Sequence, residues 1–211
     1  MIRRRFMRGY YMLSFLRMRR HRALLSVVLL LGSVLGAHAH PHIWIDAYVD
    51  LNLGPDGLET IDVRWVFDPF FTGAVMVDLD TNGNGRIDEA EQQILYRNMF
   101  EGMADIDYFF MIEAGERRVH PENPQAFSAQ IVDGKLEYRF RLSVAVGWGY
   151  LDGLRIAAFD DSYYTDFATR VGGQTGYFHS GNVVRVSQTS RQMETLDWGW
   201  VQLPVVELAV N

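Results

Sequence analysis

Over residues 43–53 every second position is apolar. Ile43, Ile45, Ala47, Val49, Leu51 and Leu53 fall on one side, with Trp44, Asp46, Tyr48, Asp50 and Asn52 on the other. A helix buries a residue every three or four positions, so this run is a half-buried strand. Gly54-Pro55-Asp56-Gly57 signals a turn, and residues 58–67 follow as the return strand of a hairpin. Residues 135–146 repeat the alternation through Leu136, Tyr138, Phe140, Leu142, Val144 and Val146. Shorter strand candidates occupy 108–113, 126–132, 154–159, 183–187 and 201–210, punctuated by Asp133-Gly134 and Asp152-Gly153. Strands at this spacing predict a mainly β (α+β) fold of the β-sandwich kind.

One interval breaks the period of two. Asp68-Pro69 is a helix start, with Asp as N-cap and Pro in the first turn. Residues 70–79 then form a short helix and 88–105 a longer one, where Leu95, Met99 and Met103 make a core-facing stripe. The helices flank the twelve residues 80–91, which match an EF-hand calcium loop. Asp80, Asn82 and Asn84 supply side-chain oxygens at positions 1, 3 and 5, and Gly85 allows the sharp turn at position 6. Arg86 offers its backbone carbonyl, Asp88 stands at position 9, and Glu91 is the bidentate ligand at position 12. EF-hands usually pair, but the sequence has a single such loop, so Ile87 must pack on the β domain instead. Three carboxylates and two amides predict a structural Ca²⁺ site of roughly 10⁻⁴–10⁻³ M affinity. The insertion spans about 68–105 of a single β-rich domain covering 40–211.

The charges are unevenly placed. Residues 1–39 hold eight arginines and no acid, leaving 12 bases against 26 acids in the remainder. That balance disfavours nucleic acid and favours cations. The basic stretch ends at Arg22, a short apolar run follows, and Ala37-His38-Ala39 closes it with small residues at −3 and −1. This is the pattern of a signal peptide over residues 1–39, with export by the general or twin-arginine route to the periplasm and a soluble mature chain. An uncleaved membrane anchor is the rival reading.

Cleavage after Ala39 leaves His40-Pro41-His42 at the new terminus. His40 then offers an imidazole and a free amine, and in an extended segment His42 lies on the same side. Pro41 has no N–H, which blocks square-planar binding through deprotonated amides. The remaining imidazole–amine–imidazole set suits copper, nickel, cobalt or zinc. Asp160-Asp161-Ser162-Tyr163-Tyr164-Thr165-Asp166 gathers further carboxylates, and Asp160 and Asp161 are candidates to complete that metal site. His120 and His179 read as surface residues. The chain has no cysteine, which excludes disulfides, iron–sulfur clusters and thiol catalysis. It also has no Gly-x-Ser-x-Gly elbow for a serine hydrolase and no phosphate-cradling glycine loop.

His40-Pro41-His42-Ile43-Trp44-Ile45-Asp46 resembles the opening of an uncharacterised bacterial family that carries a domain of unknown function. Trp65-Val66-Phe67-Asp68-Pro69-Phe70-Phe71, the acidic region 78–91 and Phe159-Asp160-Asp161-Ser162-Tyr163-Tyr164 continue the likeness. Members of that family are described as periplasmic components of an ABC-type transport system. The resemblance implies metal handling beside an inner-membrane metal transporter of the nickel/cobalt kind. The leading expectation is therefore a periplasmic, non-enzymatic metal-binding accessory protein. Its His40 and His42 carry a transition-metal ion, while Ca²⁺ stiffens the helical insertion. Two others stand beside it: a calcium-dependent binding module with no transition-metal role, and a copper enzyme built on the N-terminal histidine.

Overall fold

The first two strands pair as the expected hairpin: β1 (Ile43–Gly54) runs antiparallel to β2 (Gly57–Phe67), with Ile45 opposite Phe67 and Gly54 opposite Gly57. The computed structural model describes residues 41–211 except Asn123 and Ser180, and only the backbone of His179 and Asn182. His40 and residues 1–39, where a signal peptide is expected, lie outside the described residues. Nine further strands follow: β3 (Phe110–Ala114), β4 (Arg117–Val119), β5 (Gln125–Val132), β6 (Lys135–Gly147), β7 (Arg155–Ala158), β8 (Thr165–Val171), β9 (Gly176–His179), β10 (Asn182–Thr195) and β11 (Gly199–Val210). They form two sheets, ordered β5-β6-β2-β1-β8 and β4-β3-β7-β11-β10-β9. The fold is mainly β.

The strand hydrophobic pattern decides which side faces in. Ile45, Ala47, Val49 and Leu51 of β1 are buried, as are Leu136, Tyr138, Phe140, Leu142, Val144 and Val146 of β6. Residues of both sheets share one core. Trp65 sits inside it, with ring centroids 5.0 Å from Phe140, 5.4 Å from Phe167 and 6.3 Å from Phe110 of the other sheet. A buried hydrogen bond from Ala158 N to Thr169 Oγ1 (2.8 Å) ties β7 to β8.

Three strands escape the sequence reading: β4, β8 and β9. The most consequential is β8, which pairs in parallel with β1 and sets Ile43 beside Thr165 and Val49 beside Val171. Its buried positions are Thr165, Phe167 and Thr169, so a threonine fills two of three inward places and hides the apolar alternation. The strand expected from residue 108 starts at Phe110 instead, because Asp107, Tyr108 and Phe109 all take left-handed φ angles of 52°, 52° and 60°.

The helical interval begins as its cap demands. In α1 (Pro69–Leu79) the Asp68 carboxylate accepts from Phe70 N (2.8 Å) and Phe71 N (2.9 Å), and its second oxygen accepts from Trp44 N (3.1 Å). Thr72 Oγ1 accepts from Leu136 N (2.9 Å), fastening the helix to β6. Asp68→Ala should therefore destabilise the fold by about 1–2 kcal/mol, as loss of a good cap does, with Asp68→Ser restoring most of it. Urea unfolding midpoints of the two variants measure this directly.

The second helix is shorter than the expected 88–105. Only α2 (Glu89–Leu95) is α-helical; a wide turn over Tyr96–Phe100 follows, closed by Glu101 N donating to Tyr96 O, and then tight turns over Glu101–Phe109. The wide turn inserts one residue into the helical repeat and seats Phe100 in the core, 4.5 Å from the Phe127 ring and 4.9 Å from Phe140. Leu95 is buried as expected, with Met99 and Met103 half-buried against the core. Among the described residues no helix is long and apolar enough to cross a membrane.

Candidate cation site

The loop between α1 and α2 is organised by its own side chains. Asp80 ends α1, and its two oxygens accept from Asn84 N (3.0 Å) and Gly85 N (2.8 Å). Asn82 Oδ1 accepts from Asn84 N (3.0 Å) and Asn84 Oδ1 from Arg86 N (2.7 Å). Gly85 takes φ 70°, a conformation a side chain there would strain, and a turn of that hand wraps the chain around the carboxylate of Asp80. Asp88 and Glu91 then form a reciprocal capping box: Glu91 N donates to Asp88 Oδ1 (3.0 Å) and Asp88 N to Glu91 Oε2 (2.9 Å). Ile87 packs half-buried on the core, the place its pattern required.

Glu91 is the unusual member. The residue is only 3% exposed, and its second oxygen, Oε1, has no hydrogen-bond partner. A buried carboxylate oxygen left without a donor is unfavourable by about 1–3 kcal/mol or more, and a cation removes that penalty. Among the described residues no three His, Asp or Glu side chains stand close enough to grip an ion as they are.

The histidine end of β1 lies across from the acidic turn. His42 N donates to Tyr164 O (2.9 Å), and the exposed His42 ring sits 4.9 Å from the Tyr164 ring. The parallel β1–β8 pairing makes this contact across more than 120 residues of chain, bringing the segment after Asp160 and Asp161 beside the histidine end. The sequence matches, over residues 25–180, the family described as "Protein of unknown function (DUF1007)". The chain belongs to the DUF1007 family. A relative in Spirochaeta aurantia, the "Uncharacterized 15.5 kDa protein in trpE 3'region", is 28% identical over 99 residues, covering 47% of this chain and 71% of its own. No solved structure matches.

In this DUF1007 chain the two acids of the turn behave differently. Asp160 is 8% exposed, and its oxygens are taken by Ser162 N (3.0 Å), Ser162 Oγ (2.6 Å) and Thr165 N (2.9 Å). It holds the turn that starts β8. Asp161 is exposed, and its backbone carbonyl anchors Leu196 N (2.8 Å). His120 is exposed as expected, with Nδ1 2.8 Å from Asp107 Oδ2.

Asp166 gains weight only in the fold. It stands beside Trp44 in the β1–β8 register, in a cleft shared with Asp68 and Lys135, and burial raises its pKa above the ordinary aspartate value. No spacing rule in the sequence singles it out from its acidic neighbours.

Proposed function

We propose that this DUF1007 protein is an exported metal-binding accessory protein whose helical insertion is an EF-hand-like module held by Ca²⁺. A transition-metal ion would be carried at His40 and His42 for exchange with an inner-membrane transporter. The observation that carries the calcium half is the Glu91 carboxylate, buried at position 12 of a correctly spaced loop with one oxygen unpartnered. The transition-metal half is supported by the exposed ring of His42 at the open end of β1, two residues from a second imidazole. Exposed, incompletely coordinated donors suit an ion that must be handed on. With Asp160 committed to its turn, Asp161 is the better carboxylate neighbour for such an ion.

The two halves use different donors, so they separate experimentally. The double variant His40→Ala/His42→Ala should lose most nickel, cobalt, zinc and copper affinity while keeping calcium-induced stabilisation unchanged. Wild-type transition-metal affinity should fall as pH is lowered, because protons compete for the imidazole nitrogens. Isothermal titration with each metal, alongside metal analysis of protein purified from the periplasm, reads both effects. Unchanged transition-metal binding in the double variant refutes the carrier reading and leaves the calcium-dependent binding module.

A further inference from the structure

The outer face of α1 is left uncovered by the described residues. Residues 69–77 carry no charge, and their only polar side chain, Thr72, is buried. Phe70, Gly73, Ala74 and Val77 recur at the spacing of one helical face. All four are exposed, Phe70 by 80% and Val77 by 83%. A helix that is apolar all round is ordinarily covered all round. Trp44, 48% exposed, extends the patch at the start of the helix, where it shares a cleft of about 200 Å³ with Pro69.

Gly73 sits in the middle of that face. Glycine inside a helix is less stable than alanine, and its backbone here is ordinary helix. A Cβ at Gly73 would meet nothing within 4 Å, so packing within the chain does not call for glycine either. A bare backbone between two bulky apolar side chains does let a second helix lie close, because the side chains at the contact set the distance between helices. The cleft supplies the polar half. Asp46, Asp68, Asp166 and Lys135 line it, three acids against one base. Asp46 is paired with Arg170 (2.8 Å) and Asp68 accepts from the amides it caps. Asp166 is short of solvent, and burial alone shifts its pKa, upward. A half-buried carboxylate beside an exposed indole suits a Lys or Arg side chain, which pairs with the acid and is attracted to the ring.

We infer that the outer face of α1 and this cleft bind an apolar helix of a partner protein, whose Lys or Arg enters the cleft beside Trp44 and Asp166. A second copy of the chain does not fit. Antiparallel pairing of α1 with itself sets Asp78 against the Asp68 end of the other helix, acid to acid. Anionic lipid meets the same acids. The surface uses none of the candidate metal ligands, so it stands or falls separately from the metal reading.

An amphipathic leucine–lysine peptide, helical when bound, is the probe, with its leucine–glutamate counterpart as control. Isothermal titration in metal-free buffer should show one peptide per chain, bound at least tenfold more tightly than the glutamate form. Affinity should fall as salt rises. Phe70→Ser and Val77→Ser, both at exposed positions, should each weaken binding at least tenfold. Gly73→Leu is the sharpest variant. It adds apolar surface in open space, so the fold should melt at or above the wild-type temperature. Unspecific adhesion would then rise, whereas close helix packing requires at least a tenfold loss. Asp166→Asn should weaken binding severalfold and flatten its salt dependence. No saturable binding of the leucine–lysine peptide by the wild type, or wild-type affinity in Gly73→Leu, overturns the proposal. So does sedimentation in which Phe70→Ser abolishes a dimer, or abolishes binding to phosphatidylcholine–phosphatidylglycerol vesicles.

Discussion

Glu91→Gln is expected to remove most of the stability that calcium confers while sparing the calcium-free protein. In the wild type, calcium at 100 times its dissociation constant should add about 2.7 kcal/mol. For a domain of this size that is a Tm rise of roughly 5–11 °C. Glutamine keeps the shape and the bond from Asp88 N but loses the charge of the bidentate ligand, so affinity should fall at least tenfold. The same calcium concentration then gives about 1.4 kcal/mol or less. Without calcium the substitution neutralises a buried, half-partnered carboxylate, so the variant should melt at or slightly above the wild-type temperature. Melts with and without calcium measure both effects. An undiminished calcium shift in Glu91→Gln places the ion elsewhere or shows the loop to be a plain turn.

Trp65→Ala should be among the most damaging single substitutions in the core, by about 3–5 kcal/mol. Trp65 has no exposed surface, and its indole meets Phe67, Phe100 and Phe140 edge-on, Phe109 and Phe167 tilted and Phe110 stacked, rings that come from both sheets and the helical segment. Truncation opens a void beside a cavity that already exists, so little collapse can compensate. The Tm should drop by roughly 6–20 °C. Trp65→Phe keeps most of the ring contacts and should lose well under half as much, which isolates packing from the indole N–H. Urea unfolding of the pair provides the comparison. A loss below about 1 kcal/mol for alanine contradicts the central place given to this residue.

Local rules carried far along this chain. The alternation in β1 and β6 named the buried residues almost one for one, and Asp68-Pro69 marked the start of α1 to the residue. The turns and cap of the loop 80–91 were equally legible, since glycine turns and a capping box act between near neighbours. The second helix was less so. The stripe of Leu95, Met99 and Met103 was read correctly as inward-facing, but the wide turn beginning at Tyr96 was not foreseen. Its cause is the seating of Phe100 against Phe127 and Phe140, rings supplied by strands 25 and more residues away.

The amino-acid sequence alone settled the mainly β character, the hairpin, the capped first helix and the spacing of the candidate calcium loop. Each rests on periodicity or on contacts between near neighbours. Four things waited for the tertiary structure: the parallel strand β8, the meeting of His42 with Tyr164, the commitment of Asp160 to a turn, and the unpartnered Trp65 Nε1 and Tyr138 Oη in the core. Parallel pairing leaves no local signature, because its partners are joined by a long crossover rather than a turn. Whether a buried tryptophan or tyrosine finds a hydrogen-bond partner depends on what packs against it from distant strands. No pattern along one chain records that.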